Sequence, residues 1–293
     1  MAANIVRFEI HLVFSVVTAF LVILILPLIS LAKESDDLHI ILIDVGFGEA
    51  MVLHQPDSCS ILIDAGEFFD ANRIANTLNE LGVKTLDMVI ISHPHIDHFG
   101  GLFDILPAFP AAKFFDNGYE MERHAQFDQY KKLRDLQPYS PLGHGDNVQC
   151  GNVKIKVLNP PLSQTNVTSI NDTSLVLMIS YEDFRLIHMA DLEHAGESRL
   201  IEADHDLKAN IIKIGHHGMK DATSQALLKK VSPDYAVISS TGECGDSYGC
   251  SPDESVLNRL ADFNIPHFRT DHDGDIEIIV KQNGFDISKS AEK

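Results

Sequence analysis

Basic residues are scarce. The 293-residue chain carries 23 Lys and Arg against 42 Asp and Glu, a formal charge of −19. A surface of that sign repels nucleic-acid backbones and acidic membranes, so a processive nucleic-acid binder is disfavoured. Only bound cations offer an obvious means of reversing the charge at a site. Cysteine is sparse as well: four residues with no Cys-x-x-Cys spacing, which removes a structural zinc knuckle. No Gly-x-Ser-x-Gly occurs, so acyl-enzyme chemistry on a serine lacks its usual setting.

Apolar residues are plentiful. At 45% they suffice for a large core within a single domain. One stretch, Leu12 to Leu31, is almost continuously apolar, with Arg7 before it and Ser30-Leu-Ala32 at its end. The small residues at the last and third-last places suit signal-peptidase cleavage before Lys33. The run is also long enough to span a bilayer, although Pro27 would break a spanning helix. Residues 1–32 are therefore read as a signal peptide, with a membrane anchor through residues 12–31 as the alternative, and residues 33–293 as the folded domain. No second such run follows, so the remainder is expected outside the cytoplasm, in the periplasm or the extracellular space. Arg7 and Glu9 cancel, so removing the segment leaves the charge unchanged. An even cysteine set in an exported chain points to disulfides. Cys244 and Cys250 flank a flexible Gly-Asp-Ser-Tyr-Gly and are expected to pair, whereas Cys59 with Cys150 has little local support.

Chemistry concentrates in Ile91-Ser-His-Pro-His-Ile-Asp-His-Phe-Gly-Gly101. His93, His95, Asp97 and His98 lie just beyond the apolar run Met88–Ile91, which reads as a buried strand. Two histidines two apart can converge on one cation, and the Asp-His pair one turn later can reach a second. Imidazole with carboxylate suits zinc, and manganese or iron when carboxylates are several. Ile211-Ile-Lys-Ile-Gly-His-His-Gly218 repeats the arrangement of strand then ligands. Further buried strands are expected at Ile40–Ile43, Ser60–Ile63, Val153–Leu158, Phe184–Met189, Tyr235–Ser240 and Ile276–Val280. Helices are expected over Phe69–Leu81, 121–136, Leu192–Glu202 and Ser224–Lys230. His124, His194 and His272 read as surface or turn residues, and His144 as a turn histidine. Periodicity alone gives an α/β class.

The segment around His93–His98 resembles the signature of the metallo-β-lactamase superfamily. Five motifs between residues 38 and 282 are similar, in order, to the hydrolase domain of competence (ComEC-type) proteins. Asp44-Val-Gly-Phe-Gly-Glu-Ala50 resembles that family's Asp-Val-Gly-Gln-Gly-Asp-Ala, with Phe47 and Glu49 departing from it at the expected pocket rim. Asn171-Asp-Thr-Ser-Leu-Val resembles Asn-Asn-x-Ser-Leu-Val, Ala190-Asp191 resembles Thr-Gly-Asp, and the His216-His217 stretch resembles Leu-Lys-x-x-His-His-Gly. Ser247-Tyr-Gly-Cys-Ser-Pro resembles Tyr-Gly-His-Pro-Ser, with Cys250 in place of the histidine.

The resemblance implies an αββα four-layer sandwich and one or two zinc ions, manganese being the other candidate. It implies metal ligation by His93, His95, Asp97, His98, Asp191 and His217, with Asp191 as the bridge. Asp97 and Asp191 are thereby the catalytic residues. Asp64 would orient a liganding imidazole, the alternative being a helix cap. Asn171 would line the site where most superfamily members place a histidine, the alternative being an Asx turn. His216 would contact substrate, although which of the two adjacent histidines binds metal stays open. The implied activity is hydrolysis of a phosphodiester, with nucleic acid as a transient substrate and no stable nucleic-acid complex. β-Lactam or other ester and amide hydrolysis is the alternative activity. An inactive envelope or DNA-uptake binding protein is the alternative of another class.

Overall fold

The computed structural model describes residues 36–122, 124–160, 169–245 and 249–290. The segment expected to direct export, residues 1–32, lies outside the described residues. Among those described, no helix is long and apolar enough to cross a membrane.

Short strands dominate the described residues, the central ones largely buried. In order they are β1 (Leu38–Leu42), β2 (Met51–Gln55), β3 (Cys59–Ile63), β4 (Met88–Ile90), β5 (Phe114–Asp116), β6 (Tyr139–Pro141), β7 (Asn147–Cys150), β8 (Val153–Asn159), β9 (Val176–Tyr181), β10 (Phe184–His188), β11 (Ile211–Lys213), β12 (Tyr235–Ile238), β13 (Glu243–Gly245), β14 (Gly249–Ser251), β15 (His267–Arg269), β16 (Ile276–Lys281) and β17 (Gly284–Lys289). One sheet has the order β17-β16-β1-β2-β3-β4-β5-β6, a second has β15-β12-β11-β10-β9-β8-β7, and β13 with β14 forms a separate hairpin.

Alternation along each strand explains the layers. Leu38, Ile40 and Leu42 of β1 join Leu177 and Ile179 of β9 in one apolar cluster between the sheets. Ile41, Leu62 and Val89 face the other way, onto helices Ala71–Glu80 and Leu102–Ala108. Val176, Met178, Ile187 and Ile212 do the same on the second sheet, against helices His194–Glu202, Gln225–Val231 and Glu254–Asp262. Because each central strand is buried twice, it reads in sequence as an unbroken apolar run. The result is the expected αββα sandwich.

Two disulfides are present. Cys59–Cys150 joins β3 to β7, across the two sheets, with Cα atoms 5.4 Å apart. Cys244–Cys250 crosses the β13–β14 hairpin, where the two residues sit opposite one another. The weakly signalled pair therefore forms as well, since the cysteines meet only through tertiary packing.

Candidate metal centre

Every candidate ligand lies at or just beyond a strand end. His93 follows β4, His95 caps a one-turn helix over Ile96–Phe99, and Asp97 and His98 sit on that helix. Asp191 follows β10, and His217 follows β11. The turns are tight: Asp64, Ala190, His216 and His217 all adopt left-handed backbone with φ of 56°, 47°, 48° and 52°. Such conformations are unfavourable for residues bearing a Cβ and concentrate at functional sites.

Two sets of side chains converge. Asp97, His98, Asp191 and His217 form one, and His93, His95 and Asp191 the other, with the ligand atoms of each set within 4.8 Å of one another. Asp191 belongs to both. His98 Nε2 stands 3.2 Å from Asp191 Oδ2, and His217 Nε2 is 3.4 Å from Asp97 Oδ2. His93 Nε2 is 3.6 Å from Asp191 Oδ2 and 2.9 Å from His95 Nδ1.

These residues fit divalent cations on a direct observation. Asp191 Oδ1 and both ring nitrogens of His217 are buried without a hydrogen-bond partner, and Asp191 Oδ1 faces His217 Nε2 at 3.5 Å. Buried polar atoms left in that state are costly, and a cation between them would satisfy both. The two sets differ electrostatically. Burial and neighbouring imidazoles hold His93 well below the usual histidine range, and burial lowers His95, leaving neutral nitrogen donors. Burial would also lower His98, but Asp191, Asp97 and Asp64 push it well above that range. Burial would raise Asp191, but His217 and His98 hold it well down.

The structure places Asp64 against an imidazole and not on a helix. Its Oδ2 accepts from His98 Nδ1 at 2.8 Å and from the Ser92 hydroxyl at 2.7 Å, while Oδ1 accepts from Ser92 N–H at 2.7 Å. Asp70 occupies the helix N-cap position instead. His217 lies in the first of these sets, whereas His216 lies in a separate group with Glu193 and Asp221. His216 turns away to Asp221 Oδ1 at 2.8 Å and to Asn171 Nδ2 at 3.2 Å, and Asn171 donates to Glu193 at 2.8 Å. Asn171 is thus inside the site region, on a short 3-10 turn over Asn171–Thr173. His144 pairs with His205 at 3.0 Å, outside either ligand set. Phe47 flanks the site, its ring 5.2 Å from that of His217.

Glu49 is the expectation that fails: it does not line a rim but is wholly buried. Lys213 in β11, buried equally, needs an acid, and Glu49 is that partner. A lysine inside an apolar strand was the sequence signal for such a pair, since lysine is almost never fully buried unpaired. Ser92, Glu193 and Asp221 carried no such signal.

Residues 43–242 match the model of the metallo-beta-lactamase superfamily, and the chain belongs to that superfamily. It is 26% identical over 278 residues to ComE operon protein 3 of Bacillus subtilis (strain 168), covering 89% of this chain and 34% of the relative. It is 28% identical over 246 residues to competence protein ComA of Neisseria gonorrhoeae, covering 82% of this chain and 32% of that one. The chain thus spans about a third of the length of these relatives. The metallo-beta-lactamase fold protein YhfI of Bacillus subtilis superposes with a TM-score of 0.54 at 13% identity, over 80% of this chain and 96% of that protein, which supports the fold.

Proposed function

We propose that this chain is a metal-dependent phosphodiesterase, acting on nucleic acid outside the cytoplasm in a competence-type role. The observation that carries the reading is the sharing of Asp191 between two ligand sets. Two cations held through Asp191 would suit the attacking and leaving oxygens of an in-line displacement. Zinc or manganese there would supply Lewis acidity and lower the pKa of bound water. His93 and His95 offer neutral nitrogens to one cation; Asp97, His98 and His217 offer ligands to the other. Asp64 holds Nδ1 of His98, which leaves Nε2 facing the shared carboxylate. His216, with Nδ1 against Asp221, presents Nε2 beside Asn171, a polar pair suited to a substrate oxygen.

The paired cysteines fit an oxidising compartment, and we read residues 1–32 as the export signal, with membrane contact if it stays uncleaved. Substrate contact is transient, given the charge of −19. The manganese-loaded protein should cleave a small chromogenic phosphodiester and, more slowly, DNA. Chelation should abolish both, and Asp97→Ala should do so in a folded protein. Asp191→Ala should lower metal content by elemental analysis, while His124→Ala, altered at a helix cap, should not. Opening of a β-lactam without phosphodiester cleavage would reassign the substrate, and no hydrolysis at all would favour a binding domain.

A further inference from the structure

Glu49 belongs to neither of the two ligand sets, yet it touches both halves of the centre. Its backbone N–H donates to the Asp97 carbonyl at 3.1 Å, and its carbonyl accepts from Gly66 N–H at 2.8 Å, in the turn that follows Asp64. Just before it, a Cβ at Gly48 would stand 2.5 Å from the Asp97 carbonyl oxygen, so this loop lies directly on the ligand-bearing turn. The side chain reaches the other way. Oε1 meets His188 Nε2 at 2.6 Å, and Oε2 takes the Lys213 ammonium. His188 closes β10 just ahead of Asp191, and Lys213 closes β11 just ahead of His217. Lys213 Nζ also lies 3.5 Å from the Ala190 carbonyl, which accepts from His216 N–H at 2.9 Å.

Glu49, Asp64 and His98 are close enough to hold an ion. The first two are already engaged, however: Glu49 by His188 and Lys213, and Asp64 by Ser92 and His98. Stability alone does not account for the Glu49–Lys213 pair, because well-packed apolar residues commonly replace a buried ion pair without loss. Its location does account for it.

We propose that Glu49 is a positioning residue: its carboxylate clamps the strand ends bearing Asp191 and His217 to the loop and turn bearing Asp64, Asp97 and His98, and so sets the geometry of the metal centre. This rests on the metal-centre reading above. Removing Glu49 alone would strand a buried lysine, so the informative protein is the double variant Glu49→Gln with Lys213→Met, beside Glu49→Asp. Metal-free samples of each, and of the wild-type chain, are melted and then titrated with manganese and with zinc by calorimetry. The double variant should melt close to the wild type while binding divalent cations about 10-fold or more weakly, the scale of outer-shell effects on metal affinity. Glu49→Asp keeps the charge but shortens the reach, and should also bind more weakly. Should the double variant not fold, Glu49→Asp decides the matter by the same titration. Wild-type affinity and stoichiometry in a folded variant would overturn the clamp and leave the metal centre standing. Absence of binding by the wild type would overturn the metal-centre reading and the clamp with it.

Discussion

Among the histidines, position in the charge field distinguishes neighbours better than position in the chain. His216 and His217 are neighbours in sequence, yet His217 faces Asp97 and Asp191 while His216 faces Asp221. Burial would lower His217, but Asp191 and Asp97 push it up to about 9 from an ordinary 6.5. A histidine whose folded pKa is raised stabilises the metal-free fold fully below the unfolded value, and that contribution is lost as pH rises through the folded one. The metal-free protein should therefore melt at progressively lower temperature between pH 6.5 and about 9, a window set by His217. Cation affinity should climb over the same window, because a proton no longer competes for the ring. Melting curves with and without manganese at several pH values check both trends; a flat metal-free curve would contradict the environment of His217. Contiguity made the His93–His98 cluster legible in the sequence. His124, expected at the surface and partly exposed there, adds a role that residue type does not advertise: its ring nitrogen accepts from Phe127 N–H at 3.2 Å and caps the helix.

Several strands were legible, β1, β3 and β10 from apolar runs and β8 and β16 from apolar residues on one face, and the expected runs match them within a residue or two. Others escaped, the buried and central β2 and β9 among them. β17 lies mostly exposed along an edge, β6 is mostly exposed, and β5 has only three residues. Helices shortened at their caps: the stretch over 121–136 contracts to Ala125–Asp135, and Phe69–Leu81 to Ala71–Glu80. Pairing of distant elements is the information a linear reading lacks. Cys59 and Cys150, 91 residues apart, show this directly. Loop closure in the unfolded chain stabilises more for longer loops, by about 4–5 kcal/mol at that separation against about 2 kcal/mol for a loop the size of Cys244–Cys250. Replacing Cys59 and Cys150 by serine should therefore lower denaturant stability by more than replacing Cys244 and Cys250. Equal losses in urea titrations would argue that the β3–β7 bridge is a passenger on an already fixed seam.

At the scale of the whole molecule, the candidate centre lies where two sheets meet, each giving part of the two His/Asp sets from its strand ends. The first sheet supplies His93, His95, Asp97 and His98 after β4; the second supplies Asp191 and His217 after β10 and β11. Around them the chain carries a charge of −19, which sets how the proposed polyanionic substrate would be met. A conventional nucleic-acid binder neutralises phosphates with Lys and Arg and releases counterions, so its affinity falls steeply as salt rises. Here that sign reverses: long-range repulsion between acidic protein and phosphate chain is what salt screens, over a Debye length of about 10 Å at 0.1 M. Contacts near the cations are short and screened less. With manganese held fixed, raising monovalent salt from low to moderate concentration should leave KM for DNA unchanged or lower it, whereas turnover of a small chromogenic phosphodiester should hardly move. A KM for DNA that rises steeply with salt would contradict this and point to a local cluster of Lys and Arg on this chain contacting phosphates.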